Sequence, residues 1–308
     1  MIPTEPKLSQ VLQLNDKDLT PFSLCKHDES SFLIVDELAH QIALVDLEGN
    51  VKWKTDNKKL LKKNKLHYPT DATFVDEKFY ITDRYNHRIV VLDINGDFLF
   101  STGAYGENID NFNEPFGIYS NKKDRLFVSD YGNQKIKELS LNGDVLSEFG
   151  ISGSNISYYE SDFFKKQSVF KKWVRVQTRN NTIESMFFKS GFFIGNLEQP
   201  KGITIAKDSI IVVDFEGSIQ FFDIKTKTLL KSLKSPEYPT WIYNFNNEIY
   251  LSCEFSRILW KIDENNKIIP FKTLDYDIGK FIILDNSNLI YISPWNKEIL
   301  ITDLKVDK

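Results

Sequence analysis

Short apolar runs of strand length, separated by polar turn residues, recur along most of this chain. Between positions 68 and 150 the same arrangement occurs twice. In each copy a proline opens a first run, a second run ends at an aspartate, a third follows after a short connection, and Asn-Gly leads into a fourth. Asn-Gly between apolar runs indicates a tight hairpin, because both central positions of that turn take positive φ. Each copy is therefore predicted to fold as a four-stranded antiparallel meander. The corresponding residues of the two copies are Pro69 and Pro115, Asp83 and Asp130, Ile89 and Ile136, Gly96 and Gly143, and Gly103 and Gly150.

The repeat has a period of roughly 47 residues, and the rest of the chain contains further copies of it. Other copies begin at Pro21, Pro200 and Pro239, and a degraded copy ends the chain. One four-stranded sheet cannot bury both of its faces alone, whereas radial packing of several such sheets gives a β-propeller. The chain is therefore predicted to be an all-β, six-bladed β-propeller. The residues that close the second strand of each blade are Asp36, Asp83, Asp130, Asp214, Cys253 and Pro294.

The repeat is irregular in two places, at the end of the chain and between the third and fourth copies. The last copy ends without a fourth strand, so we expect Ser9 to Leu14 to supply it and to close a single propeller domain over residues 1–308. The interval from Asp130 to Asp214 is about twice the others, and its extra length falls in 151–198, which lacks the repeat signals. We interpret 151–198 as an excursion inserted between blades three and four. The alternative is a seventh, degenerate blade, with WVRVQT and MFFK as its hairpin.

The third copy resembles the NHL-repeat family, whose pattern is Pro-x-Gly-Ile, an apolar run ending in Asp, Asn-x-x-Ile and then Asn-Gly. The matching residues are Pro115, Gly117, Ile118, Asp130, Asn133, Ile136, Asn142 and Gly143. The resemblance implies a propeller fold. It implies no single function, since the family includes enzymes, RNA-binding modules and protein-docking modules.

Composition narrows the class of protein. Of the 308 residues, 27% are charged and 41% hydrophobic, which is typical of a soluble globular protein. The net charge of −4 counts against a general nucleic-acid binder. The longest aliphatic runs, such as Ile210 to Val213, are far shorter than the roughly 20 residues of a membrane helix. The N-terminus has no signal-peptide pattern, so we expect the cytoplasm, or the periplasm or exterior if a leader was removed. Cys25 and Cys253 are expected to be buried thiols.

The repeated aspartates and histidines invite a catalytic or metal-binding interpretation, which the repeat itself argues against. A carboxylate at the end of a strand can accept hydrogen bonds from the following turn, and four equivalent copies indicate a structural need. His40 and His87 also occupy equivalent positions and are expected to be turn residues. In the family resembled, the peptide-amidating lyases hold zinc with several histidines around the central channel. This chain has only four histidines, so we predict no metal site and identify no cofactor.

The insert has a composition of its own. From Asp162 to Ser190 seven basic residues stand against two acidic ones, a net charge of +5, which leaves −9 for the rest of the chain. Long departures from a repeat are often functional, and the many aromatic residues argue against disorder. One interpretation is a hairpin or short helix with solvated lysines; the other is a docking surface for an anionic or amphipathic partner. The candidate partner-binding residues are Lys165, Lys166, Phe170, Lys171, Lys172, Trp173 and Arg175.

A second candidate site is the central face of the disc. There the residues after each blade's proline and after each strand-closing position differ from blade to blade, either because surface turns vary or because they form a site. They offer aromatic walls and charges of both signs, as concave ligand sites do. The candidate ligand-binding residues are His67, Asp71, Arg84, Tyr131, Lys201, Phe215, Trp241, Glu254, Lys280 and Trp295.

Three functions remain open on this evidence. The first is a recognition module for a protein or peptide, without catalysis. The second is an enzyme acting on a small molecule or peptide in the central channel, with Asp71, Glu254 or Glu37 as base and Arg84, Lys201 or Lys280 as electrostatic partner. The third is binding of single-stranded RNA, which needs stacking aromatics beside basic residues and is opposed by the acidic body. No phosphate loop, zinc-ligand pair or nucleophile motif is present.

Overall fold

Six four-stranded antiparallel sheets form a six-bladed β-propeller, which confirms the predicted fold class. The structure is a computed structural model. It describes residues 9–55, 64–152, 196–197, 199–215, 217–235, 237–285 and 287–304. No helix among these residues is long and apolar enough to cross a membrane.

In blades 1 to 5 the four strands follow one another along the chain from the innermost to the outermost, and in blade 6 the outermost strand comes from the N-terminus. Blade 1 contains Ser23–Lys26, Ser31–Asp36, Gln41–Asp46 and Val51–Lys54. Blade 2 contains Pro69–Val75, Lys78–Asp83, Arg88–Asp93 and Phe98–Thr102. Blade 3 contains Pro115–Ser120, Arg125–Asp130, Lys135–Ser140 and Val145–Phe149. Blade 4 contains Pro200–Ala206, Ser209–Asp214, Ser218–Asp223 and Leu229–Lys234. Blade 5 contains Pro239–Phe245, Glu248–Cys253, Ile258–Ile262 and Ile268–Thr273. Blade 6 contains Phe281–Ile283, Asn288–Ser293, Glu298–Asp303 and, from the N-terminus, Gln10–Leu12.

Burial differs systematically across each blade. All six residues of Ser31–Asp36 are buried, because neighbouring blades cover both faces of an inner strand. The outermost strand Leu229–Lys234 instead alternates between half-buried and exposed residues. This alternation follows from a pleated strand with only one face packed. The apolar runs of the sequence therefore correspond to inner strands that pack between blades.

The ring closes as the sequence predicted. The N-terminal strand pairs antiparallel with Glu298–Asp303, Val11 lying opposite Leu300, so the Ser9 to Leu14 prediction is confirmed. The innermost strands of neighbouring blades contact one another around the whole ring, including blades 3 and 4 and blades 6 and 1.

Direct contact between blades 3 and 4 leaves no position for a seventh blade between them. The hairpin suggested for that alternative lies outside the described residues. At its two ends the structure describes only a short parallel pair, Ile151–Ser152 with Asn196–Leu197. That residues 151–198 form an inserted excursion stays a prediction.

The repeated aspartates stabilise the connections between blades. Asp36 and Asp214 accept backbone N–H groups from the turn that follows, as expected. Asp83 instead accepts the backbone N–H of His67 at 2.6 Å, from the connection that leads into its own blade. Asp130 does the same with the N–H of Asn113 at 2.7 Å. Asp36 also accepts the N–H of Thr20 at 2.8 Å, so three of the fully buried carboxylates, Asp36, Asp83 and Asp130, fix the chain entering the blade to the end of the second strand.

The two cysteines are buried free thiols, as expected. Burial raises the pKa of both the Cys25 and the Cys253 thiol to about 12. Both thiols are therefore protonated and unreactive at neutral pH.

Candidate functional site

The register of the blades brings two kinds of turn to one face of the disc. Pro115 pairs with Asp130, Pro200 with Asp214 and Pro239 with Cys253, so each innermost strand begins where the second strand ends. Residues after the prolines and residues after the strand-closing positions therefore lie at the same end of the propeller. We call this end the mouth face.

A cavity of about 440 Å³ opens at the centre of the mouth face, and every blade contributes to its lining. Its predicted lining residues come from blades 2, 4, 5 and 6. They are Arg84, Lys201, Trp241, Glu254 and Trp295. The structure thus places five of the ten candidate ligand-binding residues on one cavity.

Three aromatic rings at the inner part of this cavity form a compact apolar cluster. Phe116 and Trp241 stack, with ring centroids 5.5 Å apart. Phe22 packs edge-on against both of them, at 6.3 Å from each. Aromatic pairs in these geometries add to the stability expected from burial alone. The cluster gives the cavity a rigid apolar wall built from three blades.

Arg84 is held on the cavity wall mainly by Glu114. Its Nε and Nη2 atoms donate to Glu114 Oε2 at 3.1 and 2.6 Å. Its Nη1 lies 3.9 Å from Glu37 Oε1, which is too far for a hydrogen bond. The guanidinium also lies 5.6 Å from the Phe116 ring centre and 5.2 Å from that of Tyr131. Tyr131 therefore does not line the cavity itself but packs on Arg84, which does.

Two glutamates on the cavity wall have few compensating contacts. Glu37 is 17% exposed, and burial raises its pKa, while Arg84 acts in the opposite direction. Glu254 Oε2 lies 3.7 Å from Lys201 Nζ. Burial lowers the pKa of Lys201, whose ammonium also lies 4.7 Å from the Phe215 ring centre. Both glutamates immediately follow the strand-closing position, in blades 1 and 5.

Asp71 and Lys280 lie on the inner side of Trp241. Lys280 Nζ is 4.1 Å from the centre of the indole and 3.1 Å from both carboxylate oxygens of Asp71. Asp71 also accepts hydrogen bonds from the Ser23 hydroxyl at 2.7 Å and the Ile118 N–H at 3.2 Å. This carboxylate is 2% exposed and fully engaged, so the geometry favours a structural role over that of a base.

His67 does not line the cavity. It is exposed at the outer part of the mouth face, where its ring lies 5.2 Å from His40 and 5.6 Å from Tyr85. The chain turns sharply after it, because Tyr68 has a φ of 53°. His67 is not at the central channel, where it was expected from the sequence.

The turn after the second strand carries an aromatic or aliphatic side chain in every blade, which is exposed in five blades and half-buried in blade 3, where it is Tyr131. Phe255 and Trp295 are 66% and 67% exposed and pack on each other at 5.7 Å. Leu38 is 57% exposed and, like them, lines the cavity. We call this set the apolar rim. It consists of Leu38, Tyr85, Tyr131, Phe215, Phe255 and Trp295.

The cavity residues that sequence reasoning missed include Phe22, Leu38, Phe255 and Asp277. A signal for Phe22 was present, since it follows Pro21 as Phe116 follows Pro115. Leu38 and Phe255 lie two residues after the strand-closing position, where only the first residue was considered. The rim residue is the first after the strand-closing position in blades 3, 4 and 6 and the second in blades 1, 2 and 5.

The predicted partner-binding residues Lys165, Lys166, Phe170, Lys171, Lys172, Trp173 and Arg175 lie outside the described residues. The ends of that segment are described. Phe149, the last residue of blade 3, lies opposite Ile136 near the mouth face, and Pro200 begins blade 4 at the same face. In the part of the chain that the structure describes, no three His, Cys, Asp or Glu residues are grouped as metal ligands.

No protein-family model matches the chain. Among solved structures, the fold is similar to that of a streptogramin B lyase, at 15% identity over 95% of this chain and 96% of the other, with a TM-score of 0.57. It is also similar to a virginiamycin B lyase from Staphylococcus aureus, at 14% identity over 97% and 89% of the chains, with a TM-score of 0.58. The WD40 β-propeller domain of Doa1 matches at 13% identity over 91% and 77%, with a TM-score of 0.57. These likenesses show the propeller fold, which both lyases and a WD40 domain adopt.

Proposed function

We propose that the protein is a recognition module that docks a protein or peptide partner on its mouth face. The observation that supports this most directly is the apolar rim: every blade carries an apolar side chain there, five of the six are exposed, and Leu38, Phe255 and Trp295 line the cavity. Single exposed apolar residues are normal, whereas several exposed apolar residues on one face mark an interaction site. The rim and cavity together suit an extended segment or loop with one anchoring side chain.

The charged groups of the cavity fit the same function. Arg84 is engaged by Glu114, and Lys201 is partly buried between Glu254 and Phe215. These pairs leave polar groups of both signs around an apolar centre, as in interfaces with an apolar core and a polar rim. Aromatic residues and arginine are also the side chains most often responsible for affinity at interfaces.

A photo-crosslinking residue placed in the rim tests the proposal. We would introduce a photoreactive phenylalanine analogue at Trp295 and, as a matched control, at Leu230, which is 55% exposed on the outer strand of blade 4. Irradiation in cells is expected to give a discrete protein adduct at position 295 and not at position 230. The adduct should disappear when Phe255→Ser is added. Equal labelling at both positions would contradict docking through the mouth face.

An enzyme acting in the same cavity is a second candidate, and one observation favours it. Glu37 is a carboxyl group with a raised pKa on the wall of an apolar cavity, with Arg84 nearby. Such environments are common for general acids and bases. Incubating a peptide pool with wild type and with Glu37→Gln, followed by mass spectrometry, tests this. Turnover by wild type but not by the variant would establish catalysis.

A further inference from the structure

Three carboxylates line the cavity without a donor among the described residues at the usual hydrogen-bond distance of about 2.7–3.2 Å. They are Glu37, Glu254 and Asp277. Each has only a loose ion pair, since Arg84 lies 3.9 Å from Glu37, Lys201 3.7 Å from Glu254 and Arg257 3.5 Å from Asp277. By contrast, Glu114 outside the cavity receives two hydrogen bonds from Arg84. The cavity therefore offers acceptor capacity that the described part of the protein does not use.

Each of the three carboxylates has a neighbour of opposite charge, and Glu37 is the least exposed to solvent of the three. At 17% exposure it has lost most of its water, compared with 39% for Glu254. A partly buried carboxylate without a hydrogen-bond donor costs free energy, and a donor supplied by a ligand offsets that cost.

The exposed rim suits the stem of a side chain that carries such a donor. Phe255 and Trp295 pack on each other, line the cavity and are both about two-thirds exposed, at 66% and 67%. Alkyl stems pack on aromatic faces, and a cation within about 6 Å of an indole ring is attracted to it. The charge of the molecule is also suitable, because the chain outside residues 162–190 has a net charge of −9. An acidic body attracts cationic partners during encounter.

We infer that the central cavity binds a lysine or arginine side chain of the docked partner, with Glu37 and Glu254 as acceptors for its cationic head. This inference rests on the proposed docking function and adds the chemistry of the anchor. Arg84 does not oppose it, because two of its three nitrogen atoms are already occupied by Glu114. Lys201 remains beside Glu254, at 3.7 Å.

Selection from a random 12-residue phage-displayed peptide library against the full-chain protein tests the inference. Selections would run in parallel on wild type, on Glu37→Gln with Glu254→Gln, and on Phe255→Ser with Trp295→Ser, each first checked for folding by circular dichroism. We expect peptides from wild type to share a basic residue next to an apolar one. In a synthetic peptide, replacing that basic residue by norleucine should weaken binding to wild type about tenfold or more. The same replacement should have little effect on binding to the double glutamine variant.

The other outcomes separate the two proposals. Peptides that require Phe255 and Trp295 but have an acidic or apolar anchor would overturn the basic anchor and leave docking on the mouth face intact. A basic anchor whose contribution is unchanged by the glutamine substitutions would overturn the assignment of Glu37 and Glu254. If no selected peptide distinguishes wild type from the Phe255→Ser, Trp295→Ser variant, both proposals fail.

Discussion

Lys280 and Asp71, 209 residues apart in the chain, form an ion pair across the centre of the propeller. Because Asp71 belongs to blade 2 and Lys280 immediately precedes the first strand of blade 6, the pair joins two blades that are not neighbours. Asp71 also accepts hydrogen bonds from Ser23 of blade 1 and Ile118 of blade 3. One carboxylate therefore connects four of the six blades at the axis of the ring.

Removing this carboxylate should strongly destabilise the fold. We expect Asp71→Ala to lower the free energy of unfolding by about 3–5 kcal/mol, because it leaves the Lys280 ammonium buried without its partner. Urea denaturation followed by tryptophan fluorescence measures the change. Adding Lys280→Met, which removes the unpaired charge and keeps an apolar stem beside Trp241, should recover much of the loss. Additive losses in the double variant would contradict the pairing.

His87 and Glu114 show how one blade is attached to the next. His87 closes a short 3-10 turn with a φ of 53°, and its Nδ1 accepts the backbone N–H of Glu114 at 3.1 Å. His40 accepts the N–H of Tyr68 at the same distance in the preceding blade. The histidines predicted as turn residues thus also connect blades.

Substitutions at His87 separate the hydrogen bond from the backbone strain. His87→Ala removes the acceptor and keeps a Cβ atom on the left-handed residue, so it should cost about 1–2 kcal/mol for the lost hydrogen bond alone. His87→Gly also removes the Cβ atom and relieves about 1 kcal/mol of strain that the wild type already carries, so it should be more stable than His87→Ala. Thermal unfolding of the two variants measures the difference. Equal stability of His87→Ala and wild type would show that the hydrogen bond contributes nothing.

Gly117 explains the glycine of the Pro-x-Gly-Ile pattern. A Cβ atom there would overlap the backbone carbonyl oxygen of Lys201, where the innermost strands of blades 3 and 4 approach each other. We expect Gly117→Ala to cost about 3 kcal/mol, since backbone rather than a flexible side chain must move. Gly217→Ala is the control. That residue has a φ of +92° and open space around it, so about 1 kcal/mol from strain alone is expected. A smaller loss at Gly117 than at Gly217 would contradict the close approach.

The six-bladed ring could be predicted from the sequence because each blade repeats the same strand and turn residues. Pro115 and Asp130 mark the two strand ends that pair at the mouth face, and Asn142-Gly143 marks the outer hairpin. Closure could be predicted as well, since the last copy lacked the strand that the N-terminus supplies. These features are local or follow from counting strands.

The site was predicted less completely, because its side chains come together from distant blades. The position of a residue within the repeat was enough to place Arg84 and Lys201 on the mouth face. It could not show that Arg84 forms hydrogen bonds with Glu114 and that Glu37 is therefore left without a donor. Nor could residue position show that the His67 ring lies beside His40 and Tyr85 instead of in the cavity. Such contacts depend on three-dimensional packing rather than on the repeat.

Glu37 should reduce the stability of the protein at neutral pH. Its folded-state pKa is raised above the ordinary value of 4.5 because burial disfavours the charged form. A raised pKa means that the stabilising contribution is complete below the unfolded-state pKa and is lost as the pH rises through the folded-state pKa. At pH 7 the carboxylate is therefore ionised at a cost, and Glu37→Gln is expected to unfold at a higher temperature than wild type.

The pH dependence of this effect identifies its cause. Well below pH 4.5 Glu37 is protonated in both states, so the advantage of Glu37→Gln should vanish there. Glu254→Gln, at the more exposed equivalent position in blade 5, is the control and should change stability little at either pH. An advantage of Glu37→Gln that persists at acid pH would show that the substitution acts through packing. A gain confined to neutral pH would mean that the native protein holds a destabilising carboxylate where the proposed anchor binds, as expected for a functional residue.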